Sequence, residues 1–210
     1  MIENSHDYLE SKTIKELIAS ALQVRTHSYC PYSGFAVGAA LAITTGKTYS
    51  SGTHGTKEVA DCSVEGAANH AEATGSITIY TGCNIENSAF SPSVCAERVA
   101  IFKAISEGCD PASFRAIAIV GGKNDKKTCS SHSQNKCNRS EGTSCATAST
   151  EAAFIIIDGS VPDFCPPCGV CRQVMSEFCD PDRFMIILAR NTDEYKIFTL
   201  RDLMPESFGL

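Results

Sequence analysis

Apolar residues recur at helical spacing over residues 11 to about 27, where Ile14, Leu17, Ile18, Ala21 and Leu22 fall on one stripe and predict a first helix with one buried face. From 35 to 43 the period changes to that of a strand. Phe35, Val37, Leu41 and Ile43 alternate with smaller residues and Thr45-Gly46 closes the run, so a hairpin partner is expected to begin near Lys47. Strand-like alternation resumes at 77–80. Pro92-Ser93 opens a second helix, with Val99, Phe102 and Ile105 along one side, Cys95 and Glu97 in its first turn and Gly108 at its end. Residues 114–120 and 153–157 read as further strands, the latter either pairing with the former or completing it. A helix from Cys168 to about Phe178 stops near Pro181, and strands at 184–189 and 195–200 precede a helical turn at 201–204. The sum is an α/β fold, a mixed β-sheet with helices packed on its faces.

Two stretches break the pattern. Residues 51–76 turn to Gly, Ala, Ser, Thr and His without periodicity, and residues 121–150 are dominated by Lys, Asn, Ser, Thr and Cys. Structureless connections of this length are uncommon inside a domain, so both are read as insertions, the second poorly ordered. A chain of 210 residues is long enough for one well-buried core and short for two, which predicts a single domain over 1–210.

Composition narrows the function classes. A hydrophobic fraction of 43% with 20% charged residues belongs to a folded globular protein. The net charge of -6 and the lack of a basic stripe argue against nucleic acid as the partner. Residues 1–7 are polar and acidic, unlike a secretory signal, and no segment is long and apolar enough for a membrane helix, so a cytoplasmic protein without a membrane partner is expected. In a reducing compartment twelve cysteines point to metal, catalysis or core packing ahead of disulfides.

Cys168-Gly169-Val170-Cys171 places two thiols three apart at a helix start, and Cys95 stands at the start of another helix, so three sulfurs can meet one zinc ion and leave a fourth position for water. Zinc with three thiolates carries net negative charge, which opposes ionisation of that water. Backbone N–H groups at both helix starts, and a guanidinium from Arg98 or Arg172, are expected to hydrogen-bond the sulfurs and offset it. Glu97, two residues after a cap-position cysteine, can lean back toward the same point. It would take a proton from water, give one to a ring nitrogen and later deliver one to a leaving amine. Cys-x-x-Cys alone is a weak signal. Joined to Cys95-Ala96-Glu97 and preceded by Pro167, it is the pattern of zinc deaminases that use a non-ligand Glu.

On these residues the chain resembles cytidine deaminase of the three-cysteine, homotetrameric type. Tyr29-Cys30-Pro31-Tyr32-Ser33-Gly34-Phe35 and the strand after it look like that family's first hairpin, Gly82-Cys83-Asn84-Ile85-Glu86-Asn87 like its ribose-binding strand, and the segment from Leu203 to Leu210 like its C-terminus. The resemblance implies a three-layer sandwich, one zinc ion per chain, a homotetramer, and conversion of cytidine and 2′-deoxycytidine to uridine and 2′-deoxyuridine with release of ammonia in pyrimidine salvage. It further implies that Phe35 stacks on the base, Asn84 and Glu86 bind a ribose hydroxyl, Ala96 backbone with Glu97 reads the base edge, and Phe208 reaches a neighbouring subunit's pocket. Phe90 stands where the family commonly has Tyr.

Other readings of the same residues are a closed structural zinc site, an iron–sulfur cluster on Cys165, Cys168 and Cys171, for which Cys179 comes too late as a fourth ligand, and a second metal on Cys129, Cys137, Cys145 and His132. His54 and His70 read as loop residues. Alternative activities are deamination of another cytosine-bearing small molecule, such as a nucleoside antibiotic, or editing of a nucleic acid.

Overall fold

The computed structural model describes residues 9–45, 76–123 and 160–205. The expected strand at 153–157, residues 51–75 and 124–150 of the two expected insertions, the cysteines and histidines within them, and Phe208 lie outside these residues. Five strands form one mixed sheet: β1 (Phe35–Thr44), β2 (Ile77–Cys83), β3 (Phe114–Lys123), β4 (Met185–Ala189) and β5 (Tyr195–Thr199). Their spatial order is β2-β1-β3-β4-β5, with β3 and β4 parallel and every other neighbouring pair antiparallel.

Helices cover both faces, and side-chain alternation decides which helix sits where. On β1 and β3 the larger residues Leu41, Ile43, Ile117 and Ile119 share a core with α2 (Ala96–Ser106) and α3 (Gly169–Phe178). The residues between them, Ala40, Ala42, Ala116 and Ala118, are equally buried but lie under Ile14, Leu17, Ile18 and Ala21 of α1 (Ser11–Arg25). Small residues on that face let α1 lie close to the strands. At Gly38 contact becomes backbone to backbone, since a Cβ there would lie 2.0 Å from the Ala21 carbonyl oxygen and 2.7 Å from the Arg25 nitrogen. Arg25, in the last turn of α1, then donates from Nε to the Ala36 carbonyl and from Nη2 to the Gly122 and Lys123 carbonyls, clamping the start of β1 to the end of β3. A short helix α4 (Leu200–Leu203) closes the described chain with a capping box between Thr199 and Asp202.

Four expectations are corrected. Among the described residues the antiparallel neighbour of β1 in the next part of the chain is β2, paired from Thr44↔Ile77 to Gly38↔Cys83, far beyond Lys47. Strand β3 runs past Val120 through Lys123, because Gly121, Gly122 and Lys123 pair with Val37, Ala36 and Phe35. Helix α2 begins at Ala96 with Cys95 as its cap, so Pro92 and Ser93 belong to the approach. Its buried face is Ala96, Glu97, Ala100, Ile101 and Ala104, while Phe102 is 44% exposed. The large residues mark the wrong stripe because α2 crosses β2 at Gly82, where a Cβ would lie 2.5 Å from both the Ala96 oxygen and the Ala100 nitrogen. The small side chains of Ala96 and Ala100 suit so narrow a gap.

Replacing Gly38 by Ala forces α1 off the sheet, and overpacking of this kind typically costs about 1–3 kcal/mol. Gly38→Ala is expected to lower the urea midpoint of unfolding; an unchanged midpoint would show that α1 does not lie this close to β1.

Candidate active site

Two helix starts and one strand end build the site. An isolated antiparallel bridge, Ile85↔Val94, ties the chain after β2 to the approach of α2. Cys95 follows directly as an extended cap residue with φ -79 and ψ 155. Cys168 caps α3 in the same way, and Cys171 is buried one turn inside it. The three sulfurs lie within 4.8 Å of one another, with Cys95 Sγ 3.8 Å from Cys168 Sγ and Cys168 Sγ 3.4 Å from Cys171 Sγ. A tetrahedral ion with arms of about 2.3 Å to sulfur sets its ligands about 3.8 Å apart, so the triangle is the size of one face of a zinc tetrahedron. Among the described residues no fourth His, Cys, Asp or Glu joins this cluster, and Cys165 stands outside it.

The electrostatics are those of a site short of positive charge. Cys171 backbone N–H donates to Cys168 Sγ at 3.4 Å, whereas the Cys95 side chain receives no cap bond from α2. Arg98 Nη2 supplies that missing donor, 3.9 Å from Cys95 Sγ, while also donating to the Ser93 carbonyl. Arg172, the other expected donor, does not reach a sulfur. Its Nε bonds the Pro167 carbonyl and its Nη1 the Leu203 carbonyl, so it braces the approach to α3 against α4. A hydrogen bond from the Cys171 thiol, then Arg98, brings Cys95 down to about 5, and Cys171 as the donor partner is pushed up. Without a cation the cluster holds one charge readily and resists more.

Glu97 is 4% exposed, the only buried charged residue among those described. Burial above all, with the Cys95 thiolate adding to it, pushes its carboxyl up to about 7, against an opposing pull from its own backbone N–H, the Cys171 thiol and Arg98. A carboxyl poised near neutrality can both accept and return a proton.

Of the residues matched to substrate contacts, Phe35 opens β1 and Asn84 and Glu86 follow β2. Phe35, first in β1, is 38% exposed and its ring edge lies against Gly121. Asn84 is committed to backbone: Oδ1 accepts from Val37 N–H at 2.8 Å and Nδ2 donates to the Phe35 carbonyl at 2.9 Å. Glu86 Oε2 accepts from the Tyr32 and Ser33 N–H groups. Burial opposes its ionisation, but those bonds and the Ser33 hydroxyl hold its carboxyl below the ordinary range. Both side chains thus order the 29–35 loop that presents Phe35, a role invisible in the sequence because it depends on Tyr29 pairing with Ile85. Ala96 is the buried first residue of α2, where helix N–H groups have no partner within the helix. Neither the clamp by Arg25 nor the nearness of Cys165 to Gly121 and Phe35 follows from sequence spacing, because both depend on contacts between distant segments.

No family model matches the sequence. The chain is 32% identical over 196 residues to a cytidine deaminase of Sporosarcina psychrophila, covering 93% of this chain and 91% of the relative. It is 29% identical over 192 residues to a cytidine deaminase of Halalkalibacterium halodurans, covering 91% of each. The crystal structure of a cytidine deaminase from Burkholderia pseudomallei is similar at a TM-score of 0.55 and 26% identity, covering 92% of this chain and 97% of that one.

The raised Glu97 carboxyl predicts a pH signature in metal-stripped protein. The folded state holds this proton between the ordinary 4.5 and about 7, so the stability it contributes is complete below 4.5 and lost as pH rises through 7. Between pH 4.5 and 8 the stability gap between wild type and Glu97→Gln, read by urea unfolding, is expected to move by about 3 kcal/mol against the wild type. A constant gap would mean that Glu97 ionises normally.

Proposed function

The chain belongs to the cytidine deaminase family, and we propose that it hydrolyses cytidine and 2′-deoxycytidine to uridine and 2′-deoxyuridine with release of ammonia, using one zinc ion held by Cys95, Cys168 and Cys171. The observation that carries this reading is a buried carboxyl, Glu97, poised near neutrality beside three converging sulfurs that have no fourth protein ligand among the described residues.

Zinc, when bound there, supplies a Lewis acid that makes water nucleophilic near neutral pH. Glu97 accepts the proton that water gives up and passes it to N3 of the cytosine. Once oxygen is added at C4, the same carboxylate takes the proton that remains on that hydroxyl and gives it to the departing amine as the C4–N bond breaks, so ammonia leaves and Glu97 ends as it began. The Ala96 N–H, unpaired within α2, is suited to the base edge. Phe35 offers an aromatic face to the base. Asn84 and Glu86 hold the loop that carries Phe35, and the hydrogen-bonding capacity these bonds leave to them serves the sugar hydroxyl. Arg98 lends positive charge to the Cys95 sulfur, and Arg172 fixes the turn that delivers Cys168.

This is the three-cysteine, homotetrameric type in our reading. Phe90, 91% exposed, and the exposed Tyr32, Phe102 and Val170 support burial against further copies of the chain, one of which would contribute Phe208 to the pocket. We place the enzyme in pyrimidine salvage in the cytoplasm, as a single domain carrying two insertions. No helix of the described residues is long and apolar enough to cross a membrane.

Zinc-loaded protein is expected to release ammonia from cytidine, and Glu97→Gln to lower kcat by about 10²–10⁴-fold with zinc retained. Absence of ammonia from zinc-loaded wild type would refute the assignment. Arg98→Ala is expected to weaken zinc retention about 10–100-fold in a chelator competition; unchanged retention would remove Arg98 from support of the metal.

A further inference from the structure

Cys165 is a thiol beside the site to which the reaction above gives no task. Gly121 of β3 locates it. A Cβ at that position would lie 2.6 Å from Cys165 Sγ and 3.1 Å from Phe35 Cε1, so the thiol and the ring edge converge on one patch of bare backbone. Cys165 and Cys95 both pack against the core shared by α2 and α3. Burial first, then the nearby charges of Glu97, Cys95 and Cys168, push the thiol up to about 12, so it is neutral at working pH. The segment is stiff. Pro166 and Pro167 fix the backbone that follows, and Arg172 Nε grips the Pro167 carbonyl at 2.9 Å. A small uncharged side chain therefore lies beside the aromatic ring and within electrostatic reach of the sulfur and carboxyl centre.

We propose that Cys165 forms a wall of the base pocket and sets the size of substituent that the cytosine can carry at C5. The inference rests on the deaminase reading. With C4 at the sulfur cluster and N3 beside Glu97, the remaining neighbour of C4 is C5. The side chain beside the stacking ring and within electrostatic reach of the cluster is the one that meets it.

The test compares wild type, Cys165→Ala and Cys165→Ile, each checked for fold by circular dichroism and for zinc content. The quantity read is kcat/KM for 5-methylcytidine divided by that for cytidine. One methyl group in an apolar pocket is worth about 10-fold or more. The ratio is expected to rise about tenfold in Cys165→Ala and to fall in Cys165→Ile. Calorimetric binding of 5-methyluridine relative to uridine is expected to shift the same way, a readout that needs no turnover and that Cys165→Ala alone supplies if the larger residue prevents folding. Ratios within about twofold of wild type in both measurements would overturn the wall while leaving the deaminase reading intact. A wild type that releases no ammonia from cytidine would overturn the reading beneath it.

Discussion

The structure depends on two helix N-termini being held close enough for their cap residues to share one point. Cys95 caps α2 and Cys168 caps α3, and Cys171 is in place once α3 is. That requires α2 to lie almost on the backbone of β2, which Gly82 with Ala96 and Ala100 permits, and α3 to pack on the same face of the sheet. Larger side chains in this layer would stabilise a thicker core but would carry Cys95 away from its partners. The alanine-rich interior of α2 is therefore a geometric requirement of the sulfur triangle.

Charge is the second constraint, and it follows from the first. Bringing three thiols together in a half-buried place favours one ionisation and opposes the next, which is why Cys95 is easily ionised and Cys171 is not. A cation reverses this, because a coordinating thiol gives up its proton. Burial, reinforced by neighbouring negative charge, keeps Glu97 protonated to about pH 7 and Cys165 protonated well above it. Arg98 is placed against Cys95, where α2 itself provides no cap bond, and limits the imbalance without cancelling it. A carboxyl that costs stability when ionised is suited to moving protons, so the centre trades stability for reactivity.

Much of this was legible in the chain. The apolar runs of β1, β3, β4 and β5 and the start of α3 at Cys168 follow from local period and helix-start chemistry, although β3 runs three residues further and α2 starts later than those rules place them. What was illegible depends on distant pairing. Val99, Phe102 and Ile105 outline a plausible apolar stripe on α2, yet the buried face carries Ala96, Ala100 and Ala104 beside Glu97 and Ile101, because helix-to-sheet spacing is set by Gly82 on another element. Arg98 and Arg172 look equivalent in sequence, Arg98 next to Glu97 and Arg172 next to Cys171, but only Arg98 faces a sulfur. Helix α4, more than thirty residues away along the chain, claims Arg172. Asn84 and Glu86 show the same effect, since their hydrogen bonds to the 29–35 loop exist only once Tyr29 has paired with Ile85.

The convergence of three sulfurs on one ion with a position to spare is tested most directly by X-ray absorption at the zinc edge on protein loaded with one zinc per chain. The expected spectrum contains three sulfur neighbours at about 2.3 Å and one lighter atom at about 2.0 Å. Four sulfur neighbours would mean that another cysteine closes the site, and a shell without sulfur would mean that Cys95, Cys168 and Cys171 do not hold the metal.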